Sequence, residues 1–177
     1  MTPLTHRIAQ LGDIPRLREI MDAAIGRLQA EVLSPDQVEA SRTLMGLDTA
    51  LIADGTYFIV EIGDRVAGCG GWSRRATLYG GDHSPGRDAA RLDPQVDAAR
   101  VRAMYTHPDF ARRGVGRRIL DLAHAEAAAE GFRRTQLVAT LAGEPLYAAV
   151  GYRVIERFID DRGGVGVPLI RMERPLD

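Results

Sequence analysis

Apolar residues recur at helical spacing from Ile14 to Leu28, through Leu17, Ile20, Met21, Ala24 and Ile25, and predict an amphipathic helix. Asp13 stands before it as a cap, Pro15 fits its first turn, and Gly26 weakens it late. A short strand, Thr5 to Gln10, precedes it. Ser34-Pro35-Asp36-Gln37 combines an N-cap, a proline at the first helical position and a capping-box glutamine. It starts a second helix that buries Val38, Leu44 and Met45. The pattern then turns extended. Tyr57 to Ile62 and Arg65 to Trp72 flank Gly63-Asp64, a two-residue hairpin signal. Glycines 68, 70 and 71 weaken the returning strand or mark close approach of a ligand or another backbone.

The second half alternates more regularly. Val101 to Thr106 reads as a strand, and Arg117 to Glu130 as a helix with Val115, Ile119, Leu122 and Ala123 on one face and Gly131 as its C-cap. Thr135 to Thr140 is a strand. Glu144-Pro145 can start a short helix that Gly151 ends. Strands Tyr152 to Ile159 and Val165 to Met172 follow, joined through Asp161-Arg162-Gly163-Gly164, and Pro168 belongs at an edge or a bulge. The fold class is α+β: a mixed, mostly antiparallel central sheet of about seven strands flanked by about four helices, without the strict βα repetition of a doubly wound dinucleotide fold. Residues 79–96 are rich in glycine, proline and serine and form a long loop. Its Arg87, Asp88, Arg91 and Asp93, with Arg74 and Arg75, either line a ligand site or form a solvated surface.

Composition narrows the setting. At 177 residues, one domain over 1–177 is expected, large enough for a real core. A formal charge of −1 gives no general attraction to nucleic acid or anionic membrane, so any basic site is local. One cysteine, Cys69, excludes an intramolecular disulfide and reads as a small buried thiol in a reducing compartment. The first residues lack a signal-peptide core, and no apolar run reaches membrane-spanning length, so the expected location is the cytoplasm. His6, His83, His107 and His124 show no paired ligand spacing, and no metal is expected. A nucleotide-hydrolysing P-loop sequence is missing, and the sparse aromatics are scattered.

The richest chemistry lies at Arg112-Arg113-Gly114-Val115-Gly116-Arg117, between a strand and a helix. Gly114 and Gly116 let backbone approach a ligand closely, and the first N–H groups of the following helix have no intrahelical acceptor. Such a turn can cradle a pyrophosphate. On the loop alone, a plain strand-to-helix turn with a solvated basic face remains open. Arg117 and Arg118 oppose the helix dipole, a penalty that a bound pyrophosphate would reverse.

With Met104-Tyr105-Thr106 before that loop and Leu146-Tyr147-Ala148-Ala149-Val150-Gly151-Tyr152 after it, the series resembles the core of the GNAT superfamily, the acetyl-CoA-dependent N-acetyltransferases. The match is specific over Met104 to Tyr152 and coarse over residues 1–100. Departures are visible. Ala111 stands where the family's loop usually opens with Arg or Gln, and Thr106 where it has valine. Thr140 falls near the position of an asparagine that contacts the cofactor in many members. Thr135 stands where acetyltransferases of protein N-termini often carry a basic glutamate.

The resemblance implies direct attack of an amine on the thioester in a ternary complex, with a small-molecule amine as acceptor and no metal. It implies that Met104, Tyr105, Thr106, Arg112, Arg113, Gly114, Val115, Gly116, Arg117 and Thr140 bind acetyl-CoA. Tyr147 is implied as the acid beside the leaving thiolate, where a phenol can donate a hydrogen bond or a proton. The residues themselves also allow a packed aromatic there. No carboxylate stands out as base. Glu61 and Glu156 read as exposed strand residues, and a water-relayed deprotonation is left open. Two rival readings stay in view: a peptide or protein N-terminal acetyltransferase, and an acyl-CoA-binding module without turnover. The family also allows a homodimer.

Overall fold

In the computed structural model, which describes residues 2–177, the Gly63-Asp64 turn closes the hairpin that the pattern predicts. Strand β2 (Tyr57–Ile62) pairs antiparallel with β3 (Arg65–Ser73). Strand β1 (Leu4–Ile8) adds outside β2, and β4 (Ala99–Thr106) adds to β3. β5 (Arg134–Thr140) joins β4 in parallel. β7 (Val167–Pro175) pairs antiparallel with β5, and β6 (Arg153–Asp160) lies at the far edge. The order is β1-β2-β3-β4-β5-β7-β6, seven strands with one parallel pair.

Five α-helices flank the sheet where the pattern predicts about four: α1 (Ile14–Ala23), α2 (Pro35–Leu44), α3 (Thr49–Ala53), α4 (Val115–Ala129) and α5 (Glu144–Ala149). The extra one, α3, is too short to show a period. Asp48 caps it by accepting from the Ala50 N–H. The Ser34–Gln37 capping box forms as expected. Asp13 does not cap α1: it accepts from the Gln10 N–H and pairs with Arg7. The α-helical pattern of α1 also stops sooner than its apolar period suggests. Residues Ala24–Leu28 continue as a π-helical segment around Gly26, and Gln29–Glu31 as a 3-10 turn. Pro168 lies in β7, inside the sheet, yet beyond Leu169, the last residue paired with β5. It stands opposite Ile159 of the edge strand β6, and its missing N–H costs no bond to β5.

Side-chain alternation sorts the helices onto two faces. Leu17, Ile20 and Ile25 of the first helical stretch, with Leu51 of α3, pack on Tyr57, Ile59, Cys69 and Tyr105. Val115, Ile119 and Ala123 of α4 pack on the opposite face, against Val60 and Trp72. The glycines of β3 make the second contact close. A Cβ at Gly70 would stand 2.5 Å from the Met104 Sδ, and one at Gly68 would stand 2.5 Å from the Val115 Cγ1. Of the two meanings the sequence leaves open for these glycines, close approach is the one the packing supports. It seats the start of α4 beside the end of β4. Cys69 is fully buried and bonded to the Tyr57 hydroxyl, and burial pushes its thiol up to about 12, as expected of an inert core thiol.

Candidate active site

β4 and β5 run side by side for only two residue pairs, Ala99 with Thr135 and Arg100 with Gln136. Beyond them the strands part, and Val101 to Thr106 faces Leu137 to Thr140 across a wedge. The cause is local to β4. Ala103 has φ 50°, in the left-handed region, and the β3–β4 register slips between Cys69 and Gly71. Such a bulge bends a strand and costs on the order of 1–3 kcal/mol when a side chain is present. The Tyr57 hydroxyl holds it by donating to the Ala103 carbonyl at 2.7 Å. Met104 follows on the α4 face, partly buried against Val60, Ile119 and Leu137 clusters, and Tyr105 anchors the other face by donating to the Gly46 carbonyl.

At the open end of β4 the chain makes a short turn, Pro108–Phe110, and enters the arginine-glycine loop. Arg112 (φ 63°) and Gly114 (φ 83°) both adopt left-handed conformations, and Gly114 is the N-cap of α4. The first bond after the loop runs from the Arg118 N–H to the Gly114 carbonyl. The six consecutive N–H groups of Arg112 to Arg117 have no acceptor among the described residues. Arg112, Arg113 and Arg117 are exposed and pair with no carboxylate among those residues; Arg113 lies over the Phe110 ring. A row of free N–H groups ringed by unpaired guanidiniums fits a diphosphate. Gly116 serves packing as well, because its missing Cβ would stand 2.6 Å from the Leu146 Cδ2 of α5.

α5 closes the wedge from the β5 side. Tyr147 is buried among Val101, Leu120, Leu137 and Tyr152, and desolvation alone pushes its phenol well above the usual tyrosine range. Among the described residues no group bonds its hydroxyl. Thr140 stands at the mouth, where its hydroxyl oxygen accepts from the Gly143 N–H and from the Gln29 Nε2 and its O–H keeps its donor capacity. The structure thus brings Met104, Thr106, Gly116, Thr140 and Tyr147 around one cleft, with the Arg112–Arg117 loop at its rim. Gln29 is the residue that the sequence does not single out. Its contact with Thr140 spans 111 residues, and no local signal reports it.

Other expected residues lie elsewhere. Thr135 sits at the closed end of β5 and bonds the Tyr152 hydroxyl. Glu61 pairs with Arg7, Glu156 with Arg171, and Glu144, which opens α5, with Arg157. The arginines of the long-loop region are mostly spent on neighbouring carboxylates: Arg74 on Glu130, Arg75 on Asp54, Arg87 on Asp48 and Asp82. Arg75, which also donates to the Ala89 carbonyl, and Arg87 line a cavity of about 100 Å³ under the loop with Asp48 and Arg102.

Beneath α4 runs a directed polar chain. Arg174 donates to the His124 Nδ1, which leaves Nε2 to donate to the Tyr152 hydroxyl, 2.7 Å away. Burial and the Arg174 charge bring His124 down to about 4. An unfolded histidine titrates near 6.5, so between those values the unfolded chain takes up a proton that the fold refuses. The stabilisation is complete above about pH 6.5 and is lost as pH falls toward 4. Thermal melts of wild type should show this fall, and His124→Gln should flatten it; equal pH slopes would contradict the assignment.

Comparison with known proteins agrees with this geometry. A model of the acetyltransferase (GNAT) domain matches residues 53–154. No curated protein sequence matches the chain. Among solved structures, a GCN5-related N-acetyltransferase from Rhodopseudomonas palustris superposes with a TM-score of 0.72 at 22% identity, covering 99% of this chain and 97% of that one. YncA from Salmonella typhimurium, solved with its cofactor acetyl-CoA, gives 0.65 at 18% identity, covering 98% and 94%. The ribosomal-protein-S18-alanine N-acetyltransferase of Escherichia coli gives 0.61 at 14%, covering 99% and 95%. At these identities the likeness is one of fold. Among the described residues no helix is long and apolar enough to cross a membrane, and no group of three or more His, Cys, Asp or Glu is placed to hold a metal.

Proposed function

The chain belongs to the GNAT acetyltransferase family, and from that premise we propose that it is an N-acetyltransferase that moves the acetyl group of acetyl-CoA to an amine of a small-molecule acceptor. The observation that carries the cofactor assignment is the row of six unbonded N–H groups, Arg112 to Arg117, at the rim of the β4–β5 wedge. The pyrophosphate is assigned to those groups and to the Arg112, Arg113 and Arg117 side chains. The pantetheine arm is assigned to the backbone of Met104 to Thr106, which lacks a β5 partner and can pair with its amides. A backbone N–H on the side turned away from β3 would also polarise the thioester carbonyl. The amine attacks that carbon directly, and the thiolate leaves toward Tyr147. With the nearby Glu144 tied to Arg157, deprotonation of the incoming ammonium is assigned to water. Thr140 is assigned to the cofactor at the mouth of the cleft: its hydroxyl oxygen accepts from Gln29 and Gly143, and its O–H is left to donate.

Support for a small acceptor over a protein N-terminus comes from Thr135. At the position of the basic glutamate stands a hydroxyl already bonded to Tyr152 and fully buried. A thiol-release assay with a polyamine, an aminoglycoside and a short peptide tests the reading. Turnover with the small amines supports it. Turnover only with the peptide favours N-terminal acetylation, and acetyl-CoA binding without turnover favours a binding module.

The loop assignment has its own test. Substitution at Gly116 also disturbs the Leu146 contact, so Gly114 is the cleaner position: only the Leu4 Cδ1, at 3.7 Å, lies near its missing Cβ. Gly114→Val cannot hold φ 83° without strain, and turns the N–H row out of register. Acetyl-CoA affinity by titration calorimetry should fall at least tenfold while α4 stays anchored by Ile119 and Leu120. Unchanged affinity would remove the loop from the site.

A further inference from the structure

Gln29 is 6% exposed, and its Oε1 is among the few buried side-chain polar atoms without a hydrogen-bond partner. A carbonyl left so costs about 1–3 kcal/mol, a penalty that calls for an explanation outside packing. Its position supplies one. Gln29 directly follows the π-helical segment Ala24–Leu28, and such bulges are frequent at functional sites. That stretch straps the mouth of the wedge. Arg27 pairs with Asp109, just past β4, and the Gln29 Nε2 donates to the Thr140 hydroxyl at the end of β5. The amide is therefore fixed through one atom and unpartnered at the other, an oxygen closed to solvent until the strap parts from the end of β5.

Tyr147 is close by. The Thr140 Oγ1 and the Tyr147 Cε2 lie 3.4 and 3.0 Å from one point, the place where a Cβ at Gly143 would stand. The unsatisfied carbonyl thus belongs to the same end of the cleft as the phenol assigned to the leaving thiolate. Gln29 reaches that end from the α1 side, and Tyr147 from the opposite, α5 side. An amine attacking the thioester must arrive where these two sides meet, and it brings N–H donors that a lone carbonyl can accept.

We propose that Gln29 binds the acceptor: its Oε1 accepts an N–H of the attacking amine and orients the nitrogen, while its Nε2 stays on Thr140. This rests on the transferase reading above. The acceptor class is a primary amine, entering between the π-helical strap and the end of β5. Deprotonation of the ammonium leaves N–H groups on the neutral amine, so the same contact holds before and after the proton departs.

Three proteins test it: wild type, Gln29→Met and Gln29→Glu, with spermidine, kanamycin and a tetrapeptide as acceptors. Methionine keeps the length and removes both amide atoms. The expected result is a fall in kcat/KM of at least tenfold for the amine, expressed mainly in KM, with acetyl-CoA affinity unchanged and the melting temperature shifted only by the lost Thr140 bond set against the relieved carbonyl. Glutamate keeps an acceptor oxygen, so Gln29→Glu should restore at least half of the lost kcat/KM. An active Gln29→Met enzyme within twofold of wild type overturns the role. So does a variant that loses acetyl-CoA binding and melting temperature together with activity, the mark of a structural residue. Wild type that releases no thiol with any acceptor strikes the transferase reading itself, and this role falls with it.

Discussion

Tyr147→Phe should lower the turnover number by roughly ten- to a thousandfold while acetyl-CoA binds as tightly as before. The substitution removes one oxygen from a ring packed among Val101, Leu120, Leu137 and Tyr152, and the phenyl group fits the same space. Loss of activity would then report on the hydroxyl alone. That hydroxyl has no partner among the described residues, and burial raises it above the ordinary tyrosine range. Both facts bear on the mechanism. A phenol so raised is a weaker acid than a thiol in water, so its contribution begins as a hydrogen bond to the sulfur as negative charge develops. The same dry surroundings also raise the thiolate's basicity, which brings the two closer together. The raised value sets the pH behaviour: the phenol stays protonated through pH 10, so wild-type turnover should show no alkaline loss from this group below that pH. A Tyr147→Phe enzyme within twofold of wild type, measured by thiol release with a good acceptor, would leave Tyr147 a packing residue.

The parts of this site that were readable beforehand are those encoded by neighbours in sequence. The Gly63-Asp64 hairpin, the Ser34–Gln37 capping box, the arginine-glycine loop and the Glu144–Gly151 turn each carry their chemistry within eight residues. Each forms where the pattern places it. Gly26 marks the weak point in the first helix, but glycine alone does not distinguish a frayed end from a π-helical segment. What stayed hidden depends on distant partners. The strand-parting bulge at Ala103 needs Tyr57 to hold it, 46 residues away. Gln29 becomes notable only once Thr140 is beside it. Arg74, Arg75 and Arg87 look available in sequence because Glu130, Asp54 and Asp48 lie 21 to 56 residues from them, although Asp82, a second partner of Arg87, is only five away. Ionic partners carry no periodicity, so neither spacing nor composition exposes them.

The largest effect on stability is expected at one of those partners. Asp48 and Arg102 are each about 2% exposed at the side chain and meet at 2.9 Å. Arg102 also donates to the Thr77 and Gly80 carbonyls, and burial lowers its guanidinium from the usual arginine value. The other Asp48 oxygen accepts from Arg87 and from the Ala50 N–H that starts α3. One carboxylate therefore joins α3, β4 and the long loop. Asp48→Ala leaves Arg102 charged in a dry site without its counter-ion, and the expected cost is about 3–5 kcal/mol, read from urea unfolding. The pair as a whole is a different matter. Taking two charges out of water offsets much of their attraction, so an apolar pair of similar volume can do as well. The double variant Asp48→Leu with Arg102→Met should recover at least half of the loss, with Arg87 turning to Asp82 at the surface. If the double variant is as unstable as Asp48→Ala, the loss comes from the cap and the loop rather than from a stranded charge. Because Arg102 immediately precedes the Ala103 bulge, Asp48→Ala should also lower acetyl transfer at temperatures where the variant is still folded.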